Sequence, residues 1–297
     1  MSKRFLTALL VLLVGASGLV FARDIDPIVN TAWLEKNLSS PKLVVVDIRK
    51  VEEYRDGHIP GAVNAIQGSW IFSAQGGLRN EVPAADDLSD LIADAGIKAD
   101  SHVVLVGANF STFTWIARVA WTLVYAGVPN VAILDGGYEK WVKDGKSVST
   151  DVVRPKSSDF DVKFNKAYFA DKAYVISKIG KGAILDARGP DTYFGLAKQP
   201  FVGQFGHVPG AKNLPTVWIV NADGVARDKA ELEAMAAAQF KNKNAEIITY
   251  CDTGVLATGW WFILHEMLGY KDVKSYDGSS EEITKDPKVT YVKYVWE

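Results

Sequence analysis

The chain has one cysteine in 297 residues, Cys251, so it cannot close an internal disulfide or assemble a cysteine-based zinc site. Its four histidines, His58, His102, His207 and His265, show no pair with metal-ligand spacing, and no metal is expected. A Gly-x-x-x-x-Gly-Lys phosphate loop is missing as well, and with it the usual cradle for nucleotide phosphates. No cofactor is expected. The chain also lacks a surplus of positive charge: 33 Lys and Arg stand against 35 Asp and Glu. That balance leaves no electrostatic footprint for nucleic acid or an anionic membrane.

The longest apolar run, Phe5–Val20, is about 16 residues, short of the roughly 20 that a spanning helix needs. It follows Lys3 and Arg4 and ends at Val20-Phe21-Ala22, with small residues where a signal peptidase reads. Residues 1–22 are therefore expected to be a secretory signal peptide, and the mature protein periplasmic or secreted. No cysteine follows the run to carry a lipid, so no stable membrane association is expected after cleavage. In an oxidising compartment cysteines usually pair, and a single leftover thiol is either reactive or a small buried hydrophobe. The count does not choose between these; the surrounding sequence does.

What is present is one pattern written twice. LVVVDIR (43–49) and AILDAR (183–188) each run an apolar, β-branched segment into Asp-x-Arg, Asp47 with Arg49 and Asp186 with Arg188. Each continues to Gly-His-[Ile/Val]-Pro-Gly-Ala, at 57–62 and 206–211, with about ten extra residues between the landmarks in the second copy. VVLVG (103–107) and EIITY (246–250) then suit buried parallel strands. Each leads through a loop to a helix ending at glycine, Gly127 or Gly269, and eight residues later to Asp135 or Asp277. Strands alternating with helices imply α/β units with parallel sheets. The expected organisation is a first domain over 24–148, a linker over 149–163 and a second domain over 164–292.

Cys251 stands where the strand EIITY gives way to a helix whose apolar positions, Trp260, Trp261, Ile263, Leu264, Met267 and Leu268, recur at three- and four-residue steps. The loop between them is Cys251-Asp252-Thr253-Gly254-Val255-Leu256-Ala257, and Gly254 lets it curl tightly. Unpaired N–H groups at a helix start, together with its dipole, are expected to stabilise a thiolate and lower the thiol's pKa. The same donors suit a persulfide or the anionic transition state of sulfur transfer.

The repeated Asp-x-Arg and Gly-His-[Ile/Val]-Pro-Gly-Ala elements, the Cys-x-x-Gly-x-x-Ala loop and the Asp-Gly-Gly/Ser endings together resemble the rhodanese family. The likeness covers nearly the whole chain after residue 22. Its tandem form is similar to thiosulfate and 3-mercaptopyruvate sulfurtransferases, in which the C-terminal domain is catalytic. It implies two rhodanese-like domains, each a mainly parallel sheet flanked by helices. It also implies that Cys251 passes sulfur from a small donor to a thiol or cyanide as a persulfide, with the substrate bound at residues 252–257. In the first copy, counting back from Gly127 places Asn109 at the cysteine's position, so that copy is expected to be inactive and to wall one side of the cleft.

The chain departs from the family pattern where thiosulfate users carry basic residues. Asp252 and Thr253 follow the cysteine, and Thr192 occupies the place of a donor-binding arginine. Two cationic handles are missing and a carboxylate is added, which disfavours a dianion such as thiosulfate and opposes the lowering of the thiol's pKa. Lys198 is read as a surface lysine rather than a replacement handle. His58, His207, Asp186 and Arg188 recur in the copy without a cysteine and are read as scaffold. The tryptophans at helical spacing (Trp115, Trp121, Trp260, Trp261) are read as core. A cysteine phosphatase would need an arginine six residues after Cys251, where Ala257 stands. The alternative function is a non-catalytic sulfur-carrier or partner-binding scaffold.

Overall fold

A computed structural model describes residues 23–73, 75 and 77–297, with Ser111 described by its backbone alone. Residues 1–22, on which the export-signal reading falls, lie outside the described residues. Among the described residues no helix is long and apolar enough to cross a membrane.

The first domain carries strands β1 (Ile28–Val29), β2 (Leu43–Asp47), β3 (Val63–Asn64), β4 (His102–Val106) and β5 (Asn130–Leu134). The second carries β6 (Phe169–Ala170), β7 (Ala183–Asp186), β8 (Lys212–Asn213), β9 (Glu246–Tyr250) and β10 (Asp272–Tyr276). They form two parallel sheets of the same topology, β1-β5-β4-β2-β3 and β6-β10-β9-β7-β8. The central strands read Val-Val-Leu-Val or Ile-Ile-Thr-Tyr without polar alternation because helices cover both faces, and β4 and β9 are buried along four of five residues.

One helix in each copy faces the other copy. Phe113–Ala126 packs on Ala257–Phe262, so residues of both domains, Phe113, Ile116 and Ala120 with Ala257, Trp260 and Trp261, share one apolar core. Trp121, Trp260 and Trp261 are fully buried in it, and Trp115 is half-buried. The first helix ends as its glycine requires, with Gly127 at φ 108°. In the second copy the helix does not run on regularly to Gly269. It winds into a π turn over Ile263–Met267, closed by Leu268 N–H donating to the Ile263 carbonyl at 2.9 Å.

The segment 149–163 has no regular structure but is pinned to the first domain. Ser149 exchanges two backbone hydrogen bonds of 2.9 Å with His58, and Ser158 N–H donates to the Ala93 carbonyl at 3.0 Å. The second copy repeats the first arrangement, with Val292 bonded to His207. Both histidines are buried, and each stacks on a tyrosine while its Nδ1 meets that tyrosine's carbonyl (Tyr54 at 2.9 Å, Tyr193 at 2.7 Å). That matching geometry is what a scaffold role requires.

Candidate active site

Cys251 follows the last residue of β9 and opens the loop 251–256. The turn is tight because Gly254 takes φ +78°, where a side chain would collide: a Cβ there would lie 2.6 Å from Asp277 Oδ1. Ser279 supports the loop from below. Its Oγ accepts the N–H groups of Cys251 (3.1 Å) and Gly254 (3.0 Å) and donates to the Tyr276 carbonyl (2.7 Å). Ser280 and Glu281 N–H groups complete the cradle on the carbonyls of Cys251 (3.0 Å) and Asp252 (2.9 Å). Ser279 is fully buried at φ 47°, an unfavourable backbone for a residue with a Cβ. Glycine stands at that place in the first copy, as Gly137, whose neighbours Tyr138 and Glu139 donate to the Gly107 and Ala108 carbonyls at 2.9 Å each.

This correspondence corrects one expectation. Gly107, not Asn109, matches Cys251 in the first copy, since β4 ends at Val106 as β9 ends at Tyr250. Counting back from the helix end failed because the first copy spends two more residues between strand end and glycine. No thiol stands at either place.

The loop curls around the sulfur, and the N–H groups of Ala257, Thr253 and Leu256 act on Cys251 in the direction that favours its thiolate. The expected fall in the thiol's pKa does not follow. Cys251 is only 1% exposed, and burial pushes its pKa above the ordinary value, with the Asp252 carboxylate adding to the rise. Three amides offset this only in part, because a thiolate stripped of water loses more than they return.

Charge reaches the site from elsewhere in the fold. The site is not bare of cations, although none follows the cysteine in sequence. Arg188 is buried against Asp186, its Nε and Nη2 donating to that carboxylate at 2.9 and 2.6 Å and Nη2 also to the Gly206 carbonyl at 2.8 Å. Arg49 makes the same set with Asp47 and Gly57, so the pair is scaffold in both copies. Only in the second copy does the remaining nitrogen reach the loop, Arg188 Nη1 meeting Asp252 Oδ1 at 3.5 Å. Burial alone would lower Arg188, but Asp186 outweighs it and the guanidinium stays well above its ordinary value. Burial also raises Asp252, Arg188 opposing and Asp186 adding to the rise.

The other cation comes from the first domain. Arg118, fully buried on the helix Phe113–Ala126, pairs through Nη1 with Asp277 and donates through Nη2 to the Asn80 carbonyl at 2.6 Å. Asn80 Nδ2 in turn donates to Thr253 Oγ1 at 2.9 Å. Arg79 pairs with Glu281 and lies over the Phe201 ring, 4.3 Å from its centroid, within the insertion that distinguishes the second copy. The first domain therefore walls the site through specific bonds.

Of the loop, Thr253, Gly254, Val255 and Ala257 are buried, while Asp252 and Leu256 are half-buried. The Leu256 carbonyl accepts from Thr216 Oγ1 at 2.7 Å. Thr192 lies half-buried in the helix Pro190–Phe194, and its side chain makes no hydrogen bond to the loop among the described residues. Lys198 is tied back onto its own segment, Nζ donating to the Val202 carbonyl at 2.7 Å. Two surface hollows of about 260 and 330 Å³ lie elsewhere and do not touch the loop.

A family model for the rhodanese-like domain matches this chain twice, at residues 30–144 and 171–286. The chain belongs to the rhodanese family. Among rhodanese relatives, a protein of Mycolicibacterium smegmatis with a provisional thiosulfate sulfurtransferase name is 35% identical over 266 residues, covering 86% of this chain and 94% of its own. A sulfur carrier protein of Thermus thermophilus is 32% identical over 270 residues, covering 86% and 93%. In fold, the chain resembles a 3-mercaptopyruvate sulfotransferase of Escherichia coli with a TM-score of 0.74 at 24% identity, over 86% of this chain and 99% of that one. The tandem rhodanese fold and the sulfurtransferase class are thereby shown.

The residues that sequence reasoning missed are Ser279, Asp277, Asn80 and Arg118. Ser279 and Asp277 belong to the Asp-Gly-Gly/Ser ending of the repeat, a motif to which the sequence alone assigns no role. For Asn80 and Arg118 no local signal exists.

Proposed function

We propose that this rhodanese carries sulfane sulfur as a persulfide on Cys251, between a small donor and a thiophilic acceptor. The observation supporting this is the ring of loop N–H groups from Thr253, Leu256 and Ala257 on the chain's only sulfhydryl. In the first half-reaction the Cys251 thiolate attacks the donor's outer sulfur. The donor's sulfur bond breaks, and its electron pair leaves with sulfite, pyruvate enolate or a shortened polysulfide. In the second, a thiolate or cyanide attacks that outer sulfur and Cys251 departs again as thiolate. The donors in view are thiosulfate, mercaptopyruvate and polysulfide. Asp252 places a carboxylate beside the nucleophile and engages the free nitrogen of Arg188, an arrangement that favours donors with less negative charge than thiosulfate. We further propose export through residues 1–22, so that the exchange takes place in the periplasm or outside the cell.

Mass spectrometry tests this directly. After incubation with each donor, Cys251 should gain one sulfur atom and lose it on adding cyanide, and Cys251→Ser should gain none. No gain with any donor would leave the scaffold reading instead.

A further inference from the structure

Asn80 of the first domain hydrogen-bonds the reacting loop through its side chain, and its own backbone is held from several directions. Asn80 sits at φ 59°, in the left-handed region. Before it, Arg79 N–H donates to Glu281 Oε2 at 3.2 Å, and the Arg79 guanidinium pairs with the same carboxylate. After it, Val82 N–H donates to Asp277 Oδ2 at 2.9 Å. The Asn80 carbonyl accepts from Arg118 Nη2 at 2.6 Å, and Arg118 Nη1 pairs with Asp277, against which Gly254 is packed. From this rigid turn Asn80 Nδ2 donates to Thr253 Oγ1 at 2.9 Å. Thr253 is 8% exposed and two residues from Cys251, and its own main-chain N–H is one of the three that favour the thiolate.

We infer that Asn80, supplied by the copy that has no cysteine, is a positioning residue for sulfur transfer: by gripping the Thr253 hydroxyl it keeps the Thr253 N–H aimed at Cys251. The ordinary structural reading is that asparagine is there because it tolerates a left-handed backbone. That reading assigns no role to the amide. The two separate cleanly, because Asn80→Gly keeps the backbone permitted and removes only the side-chain donor.

The inference rests on Cys251 being the reacting sulfur, as proposed above, but its test reads the thiol itself. Full-length wild type, Asn80→Gly, Thr253→Val, Thr253→Ser and the double variant Asn80→Gly/Thr253→Val are alkylated with iodoacetamide between pH 6 and 10. Asn80→Gly and Thr253→Val should each slow alkylation at pH 7.5 by about fivefold, the effect of one well-placed hydrogen bond. Each should move the profile toward higher pH and lower kcat for polysulfide rather than raise KM. The double variant should be no slower than the slower single, because both remove one link. Thr253→Ser should recover most of the rate lost in Thr253→Val. Wild-type alkylation by Asn80→Gly, or a double variant slowed about 25-fold as two independent losses would require, overturns the inference. Should Thr253→Val fail to fold, Asn80→Gly alone decides. Failure of wild type to gain sulfur from any donor would remove the persulfide reading, a different result from an unaltered Asn80→Gly profile.

Discussion

Replacing Asp252 by asparagine tests the electrostatics of the site with the least change of shape. The carboxylate neighbours Cys251 in the chain and is one of the two causes that raise its thiol. For adjacent side chains, taken at a separation of about 6 Å and an effective dielectric of about 20, a unit charge contributes roughly 2.8 kcal/mol. Arg188 Nη1, 3.5 Å from Asp252 Oδ1, already cancels part of that field, so about half is a reasonable net effect. Its loss corresponds to a downward move of about one pH unit in the alkylation midpoint. Freeing Arg188 Nη1 acts in the same direction. At pH 7 about ten times more thiolate would be present, but a less basic thiolate is intrinsically slower, and the net gain falls to about threefold. The assay is the pH dependence of iodoacetamide labelling, read by mass spectrometry, and no other thiol competes in a chain with one cysteine. Thiosulfate turnover should rise alongside it. A midpoint that stays put or moves up would refute the account of Asp252 as the loop's electrostatic brake.

Ser279→Ala leaves the Cys251 and Gly254 N–H groups without their acceptor and should cost about 2 kcal/mol in urea denaturation as well as slowing sulfur transfer. Ser279→Gly loses the same bonds but relieves the strained backbone, so it should be about 1 kcal/mol more stable than Ser279→Ala, with equally slow chemistry. His265 is pulled down to about 4 by burial, with Arg23 and Lys271 adding; the Glu266 carboxylate 2.8 Å from Nδ1 also meets Arg23 and does not reverse this. The unfolded chain therefore binds a proton near pH 6.5 that the folded chain refuses until about pH 4, and stability should fall by about 2–3 kcal/mol as pH drops through that window. His265→Phe should flatten that part of a stability-versus-pH curve, and an unchanged slope would show that His265 does not set it.

Much of the architecture was legible because its signals are local. Runs such as VVLVG and EIITY suit strands buried on both faces, and a pattern repeated with its landmarks in order announces two like domains. The loop at Cys251 was legible for the same reason: a strand, a glycine and a helix within a dozen residues confine the amides between them. Counting residues misled where loop lengths differ, and so Gly107 rather than Asn109 proved to match the cysteine.

What the amino-acid order determined by itself was the repeat, the sheet class, the single nucleophile and the carboxylate next to it. The tertiary structure alone decided how that nucleophile is treated. Asn80 and Arg118 reach the site from the other domain, 173 residues from Thr253 and 159 from Asp277, and no periodicity carries information over such separations. Whether the sulfur is ionised depends on how much water the folded chain removes, and burial is a property of the packed whole, not of any motif.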